Sequence, residues 1–139
     1  MPVFVVHEHH AGQLHFDFRL EIDGVLASWA VPKGPSMNPA EKRLAIHVDD
    51  HELSYASFEG VIPKNQYGAG AVCIWDTGPF DLVSGNPIEG RIEFVLHGKK
   101  LNGAFVLVCM KGKRKEWLLI KMKDGHADSS FVMRPLHAK

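Results

Sequence analysis

The feature that most restricts this chain is a nine-residue alternation that runs into a two-residue turn signal. From Leu14 to Ile22, the residues Leu14, Phe16, Phe18, Leu20 and Ile22 fall on one side and His15, Asp17, Arg19 and Glu21 on the other. A period of two belongs to a pleated strand with one apolar face. Asp23-Gly24 follows, a pair suited to the positive φ angles of a type I′ hairpin. The chain is then expected to fold back as Val25 to Val31, with Phe18 opposite Trp29, Phe16 opposite Val31, Asp17 opposite Ala30 and Arg19 opposite Ser28. Bulky residues share one face. The ionisable groups share the other, where small partners leave space for a ligand.

A polar strand face often does no more than meet water, but such faces favour Lys, Glu and Thr. Here His, Asp and Arg stand in succession, preceded by His7, His9 and His10. Neighbours on one face are roughly 6.5–7 Å apart along a strand, so the tips of His15 and Asp17 can lean onto one metal ion with Arg19 one step beyond. A turn at Ala11-Gly12 would swing one of the three upstream histidines back as a third ligand. Two imidazoles and a carboxylate suit Mn²⁺, Fe²⁺ or Zn²⁺ better than Ca²⁺. Arg19, with Lys33 and Arg43 elsewhere, points to a phosphate substrate, because guanidinium groups bind phosphate oxygens in pairs. A competing reading takes His15-x-Asp17 with a distal His51 or His97 as the facial triad of a non-haem Fe(II) oxygenase.

The remaining chain reads as short strands separated by turn signals. Val3 to Val6 is a strand that delivers the histidine cluster, and Pro32-Lys33-Gly34-Pro35 closes the hairpin with an irregular loop. Asn38 to Lys42 is read as one helical turn. Arg43 to Asp49 alternates, with Leu44, Ile46 and Val48 expected inward and Arg43, Ala45, His47 and Asp49 opposite. Asp50-His51-Glu52 then turns the chain into Leu53 to Phe58. Gly60 to Gly70 is loop-like, Ala71 to Asp76 a strand and Thr77 to Gly90 turn-rich. Further strands are expected around Ile92 to Leu96, Phe105 to Met110 and Trp117 to Met122, with a turn at Asn102-Gly103. About eight strands with one or two helical turns predict an all-β, compact antiparallel barrel with a polar cup on its inner face.

At 139 residues and 45% hydrophobic content, the chain fits one domain, residues 1–139. Sixteen basic residues balance sixteen acidic ones, which argues against a grip on long duplex DNA through overall charge and leaves room for a few local phosphate contacts. The basic turn Lys111 to Lys115 reads as a solvated loop or a nucleic-acid contact. Cys73 and Cys109 lack any disulfide or Cys-x-x-Cys pattern, and no segment approaches a membrane span. A cytoplasmic, soluble protein with free thiols is expected.

Several ordered blocks together resemble the 3′-phosphoesterase domain of bacterial DNA ligase D, nearly end to end. They are His9-x5-His15-x-Asp17-x-Arg19-Leu20-Glu21, Asp23-Gly24-Val25-Leu26-x-Ser28-Trp29-Ala30-Val31-Pro32-Lys33-Gly34-Pro35, Asp50-His51-x3-Tyr55 and Phe58-Glu59-Gly60. Tyr67-Gly68-Ala69-Gly70, Leu101-x-Gly103-x-Phe105 and Glu116-Trp117-Leu118-Leu119-Ile120-Lys121 complete the set. The resemblance implies a β-barrel enzyme of DNA end repair using Mn²⁺, or another divalent ion such as Zn²⁺ or Co²⁺. Such an enzyme removes a 3′-terminal ribonucleoside and then the 3′-phosphate, leaving a 3′-hydroxyl. It implies His9, His15 and Asp17 as metal ligands, Arg19 and His51 on the scissile phosphate with Tyr55 beside them, and Lys33 and Arg43 as further phosphate contacts. The implied partners are DNA or RNA-tipped DNA 3′ ends and, since no ligase or polymerase motif is seen, a separate ligase and polymerase. Beside the oxygenase, a non-catalytic DNA-end binding module is the other alternative. Two departures stand out. The position two before the first ligand, often Gln in the family, is His7 here, and only eight residues precede His9, where family members commonly carry further site residues.

Overall fold

A computed structural model describes residues 1–66 and 69–137. Within them nine strands join in one sheet: β1 Val3–His10, β2 Leu14–Ile22, β3 Val25–Val31, β4 Arg43–His51, β5 Gly60–Ile62, β6 Gly70–Asn86, β7 Arg91–His97, β8 Asn102–Cys109 and β9 Glu116–Lys121. The order is β1-β2-β3-β4-β9-β8-β7-β6-β5, and β1 also pairs with β6. That pairing closes eight antiparallel strands into a barrel and leaves β5 as an added strand. Closure satisfies the backbone groups that an open sheet edge would expose.

The β2–β3 hairpin has the expected register, Asp17 opposite Ala30 and Arg19 opposite Ser28. Asp23 (φ 53°) and Gly24 (φ 81°) both take the left-handed backbone of a type I′ turn. The apolar side of this hairpin lines the barrel interior, where Phe4, Phe16, Phe18, Leu20, Trp29, Phe94, Phe105 and Trp117 form a continuous core. The expected polar cup inside the barrel is therefore wrong. Aromatic and branched side chains fill the interior, and the ionisable faces of β1 and β2 point outward.

Four further expectations need correction. β6 runs through the stretch read as turn-rich, because its breakers mark a change of partner: residues 71–79 pair with β1 and 80–86 with β7. Gly78 sits at that change, where an added Cβ would collide with the His97 carbonyl. The Asn102-Gly103 turn lies upstream instead. The buried Asp76 carboxylate accepts the backbone N–H groups of Lys99, Lys100 and Leu101 at 3.0, 3.0 and 2.8 Å, which sets the β7–β8 loop before Asn102. Asn38 to Lys42 closes a single turn, Glu41 N–H to the Asn38 carbonyl at 2.9 Å, and the helical element is the 3₁₀ turn Leu53–Ser57. On β4 it is Ala45 that reaches the core, while Leu44 is 43% exposed. Trp29 and Trp117 occupy the adjoining space, and the flat His47 ring stacks on Trp29 at 4.9 Å. No helix among the described residues is long and apolar enough to cross a membrane.

Candidate active site

Strand pleating alternates the core with the site. On the outer face stand His7 and His9 of β1, His15, Asp17 and Arg19 of β2, and Ser28 and Ala30 of β3. The β1–β2 register places His9 opposite His15 and His7 opposite Asp17. β4 contributes through an irregularity: Leu26 pairs with His51 and Ser28 with Val48, so three residues of β4 span two of β3. Such a bulge re-aims the side chains beyond it. His51 thereby joins Val48 on the outer face, whereas a regular strand would have sent it to the side of His47.

Three donor atoms converge on this face. His9 Nδ1 lies 3.1 Å from His15 Nε2 and 3.4 Å from Asp17 Oδ2, and His15 Nε2 is 3.3 Å from the same oxygen. Two atoms bound to one ion at about 2.1 Å, at tetrahedral or octahedral angles, stand roughly 3.0–3.4 Å apart. The three side chains are thus already at coordination spacing, and they are the one such group among the described residues. His15 Nδ1 donates to the Gln13 carbonyl at 3.3 Å, which orients the ring and turns Nε2 to the cluster. Burial alone would raise the Asp17 pKa. Hydrogen bonds from His15 and His9 and the charge of Arg19 outweigh it and hold this carboxyl well below the usual range. The same hydrogen bond raises the His15 pKa above 6.5 against the effect of burial.

Beside the cluster, Arg19 is 3% exposed and held from several directions. Nε donates to His7 Nδ1 at 3.0 Å, and Nη1 donates to Ser28 Oγ at 2.9 Å and to His51 Nδ1 at 3.1 Å. Nη2 lies 3.5 Å from Asp17 Oδ2. The guanidinium carbon sits 5.0 Å from the centroid of the Tyr55 ring, which the 3₁₀ turn places over the strands. Burial, then the Arg19 charge, lower the pKa of both His51 and His7, the latter to about 4. Both rings are neutral at pH 7. Burial raises the Tyr55 pKa, so its hydroxyl keeps its proton.

His9, His15, Asp17, Arg19, His51 and Tyr55 line one cleft of ≈ 290 Å³, together with Ala30, Val48 and Asp49. Lys33 and Arg43 do not line it. They border a second concavity of ≈ 300 Å³ with Pro32, Lys42 and Leu44. His97 is paired with Asp81 at 2.8 Å and is not in the ligand cluster. Tyr67 and Gly68, part of one motif block, lie outside the described residues. Sequence reasoning missed the functional part of Ser28, which it read only as a small neighbour, and that of the Phe58 carbonyl, which accepts from His7 Nε2 at 3.1 Å. The register opposite Arg19 could have revealed the first; no side-chain pattern announces the second.

Comparison with known proteins bears on the same residues. A profile of the DNA Ligase D 3′-phosphoesterase domain matches residues 7–109, which include every residue lining the cleft. The chain is 50% identical over 131 residues to the multifunctional non-homologous end joining protein LigD of Pseudomonas aeruginosa, covering 91% of this chain and 16% of that protein. It is 48% identical over 123 residues to the multifunctional non-homologous end joining DNA repair protein LigD of Mycobacterium tuberculosis, covering 87% of this chain and 16% of that protein. The chain thus spans about one sixth of the length of these relatives. With a profile match over most of its length and half of the aligned residues identical in one such relative, the chain belongs to the DNA ligase D 3′-phosphoesterase domain family.

Proposed function

We propose that residues 1–139 act as one divalent-metal-dependent phosphoesterase of DNA 3′ ends. It removes a 3′-terminal ribonucleoside and then the 3′-phosphate, leaving a 3′-hydroxyl for a ligase or polymerase in break repair. The observation that carries this reading is a buried guanidinium, tethered through Nε and Nη1, beside a His, His, Asp cluster at coordination spacing. His9, His15 and Asp17 would hold the ion, Mn²⁺ or else Zn²⁺ or Co²⁺, and that ion supplies Lewis acidity at the phosphoryl group. Arg19 offsets the charge that builds on the phosphoryl oxygens, and being pre-positioned it need not reorganise as the reaction proceeds. His51 Nδ1 lies 3.1 Å from Arg19 Nη1 and 3.3 Å from the Asp49 carbonyl; in this reading the shorter arginine contact prevails, so the proton of the neutral ring is on Nε2 and can be donated toward the leaving oxygen. Tyr55 orients the phosphate through its hydroxyl.

Lys33 and Arg43 contact neighbouring phosphates of the strand in this reading, joined by Lys42. Their concavity includes Pro32 and Leu44, which stand beyond the strand positions Ala30 and Val48 of the cleft. Pro32 follows Ala30 by two residues and Leu44 precedes Val48 by four, distances of about 7 and 13 Å along a strand. The free thiols of Cys73 and Cys109 agree with action in the cytoplasm.

The test is a duplex whose recessed strand ends in a ribonucleotide or a 3′-phosphate, incubated with a panel of divalent ions. Trimming to a 3′-hydroxyl with Mn²⁺ is expected, and His15→Ala or Asp17→Ala abolishes both steps. Unchanged turnover in either variant rules out the ligand assignment, and tight DNA binding without product under any ion replaces catalysis by simple end binding.

A further inference from the structure

Arg19 has five N–H donors in a fixed fork, and which of them face the cleft decides how it can hold a phosphate. We propose that His7 is the positioning residue that sets this aim: a donor–acceptor bridge locking the Arg19 guanidinium to the segment that carries Tyr55. The proposal rests on the phosphoesterase reading above.

The hydrogen bonds themselves fix the state of His7. An Arg Nε–H can only donate and a backbone carbonyl can only accept. His7 Nδ1, 3.0 Å from Arg19 Nε, therefore presents its lone pair, and Nε2, 3.1 Å from the Phe58 carbonyl, carries the proton. Both edges of the ring are occupied and the residue is fully buried. His7 is therefore no rival to His9 for a metal ion, although it lies only two residues away on the same strand face.

The bridge joins elements far apart in the sequence, Arg19 of β2 and the Tyr55–Phe58 segment. The Tyr55 ring packs edge-on against His7 at 5.1 Å and stacks on Phe58 at 4.9 Å, while the Arg19 guanidinium lies over Tyr55. His7, Arg19, Tyr55 and Phe58 form one block, with the 3₁₀ turn held onto the strands beneath it. Arg19 is committed as a result. Nε is engaged by His7, and Nη1 donates to Ser28 Oγ with His51 Nδ1 3.1 Å away on its other side. Side-on chelation of a phosphate through Nε and an Nη is thereby closed. Nη2, at the corner nearest Asp17, is what remains to meet a phosphoryl oxygen.

A residue with one donor and one acceptor at suitable reach can replace His7, and one with neither cannot. Gln has both groups; Leu fills a similar volume with none. In heteronuclear NMR of the metal-free protein, the Arg19 Nε–H resonance is expected to be slow-exchanging in wild type and His7→Gln, and lost in His7→Leu. With saturating Mn²⁺ and a 3′-phosphate end, His7→Leu lowers kcat by about 10- to 100-fold, the range seen when a supporting hydrogen bond behind a site residue is removed. KM and Mn²⁺ affinity stay essentially unchanged, and His7→Gln restores most of kcat. Equal damage from Gln and Leu, an intact Nε–H resonance and kcat in His7→Leu, or a loss of Mn²⁺ affinity in place of kcat would each overturn the clamp. Long-range proton–nitrogen correlations in the wild-type protein need no variant to fold, and a His7 proton on Nδ1 also overturns it. A wild-type protein that shows the expected NMR signature but cleaves no 3′ end rejects the phosphoesterase reading and leaves the clamp standing. An active wild type with an equally active His7→Leu rejects the clamp alone.

Discussion

Acidification will release a metal ion from the His9, His15, Asp17 cluster, and His15 sets the pH at which it does so. To ligate, His15 must present an unprotonated Nε2. In the metal-free protein its hydrogen bond to Asp17 raises its pKa above 6.5, so proton and metal compete near neutral pH. Below that pKa each ion must displace a proton, and apparent affinity falls about tenfold, or ~1.4 kcal/mol, per pH unit. At about pH 5.5 the site is at least one unit below a pKa that exceeds the reference of ~6.5, so affinity is at least roughly tenfold under its plateau. Asp17 stays ionised throughout this range. Asp17→Asn gives a sharper form of the test. It removes a ligand charge, lowering the plateau, and it also removes the group that holds the proton on His15, so the midpoint moves to lower pH. The sign for stability runs the other way. The His15–Asp17 pair contributes stability to the metal-free protein in full below pH ~6.5, and that contribution disappears as pH rises through the raised pKa. Free Mn²⁺ measured by electron paramagnetic resonance across about pH 5.5 to 8 gives both profiles. A flat wild-type profile, or an unmoved midpoint in Asp17→Asn, refutes this account of the donor set.

Ser28→Ala deletes a fully buried hydroxyl that accepts from Arg19 Nη1 and donates to the Leu26 carbonyl; urea unfolding is expected to show a loss of about 1–3 kcal/mol, with kcat falling too, and unaltered stability contradicts the assigned bonds. Glu8→Ala removes a buried carboxylate that accepts the Leu136 and His137 N–H groups at 2.6 and 3.1 Å. Amide exchange at those two residues then accelerates, and unchanged protection shows that the terminal segment is held by other contacts. Lys111, Lys113, Arg114 and Lys115 are exposed and form no ion pair among the described residues. Their turn is pinned to β4 by a 2.7 Å hydrogen bond from His47 N–H to the Lys115 carbonyl, next to Val48 and Asp49 of the cleft. If this turn grips a DNA backbone, replacing all four by Gln reduces the slope of log affinity against log salt by up to roughly 0.7–0.9 per lost contact, with turnover of a mononucleotide 3′-phosphate unchanged. An identical slope identifies it as a solvated loop.

What the sequence made legible was whatever depends on neighbours along the chain. The alternation from Leu14 to Ile22 and the Asp23-Gly24 turn gave the hairpin in its observed register, and with it the side-by-side placement of Asp17, Arg19 and Ser28. What depends on distant partners was hidden. Gly78, Pro79 and Gly85 read as breakers because nothing local shows that β1 and β7 hold the two halves of β6. The turn before Asn102 is set by Asp76, which lies at least 23 residues upstream of the three loop N–H groups it binds. The apolar residues of β4 looked inward until two tryptophans claimed that volume. His51 reached the site through a bulge that period-two counting places on the wrong side. The ring of His7 is held between Arg19 and the carbonyl of Phe58, a partner 51 positions away that no local pattern announces.

The location of the chemistry on the outside of a filled barrel has a consequence for how a polymer is handled. A tunnel enzyme must thread its substrate and then let it go, so the bulk of the chain becomes part of the reaction's cost. Here the candidate groups line a cleft on the outer wall, so in the proposed reading a strand terminus of any length, single or annealed, can be presented from the side and withdrawn without passing through the protein. The wall can stay stiff for the same reason. Nothing inside it has to breathe for a product to leave.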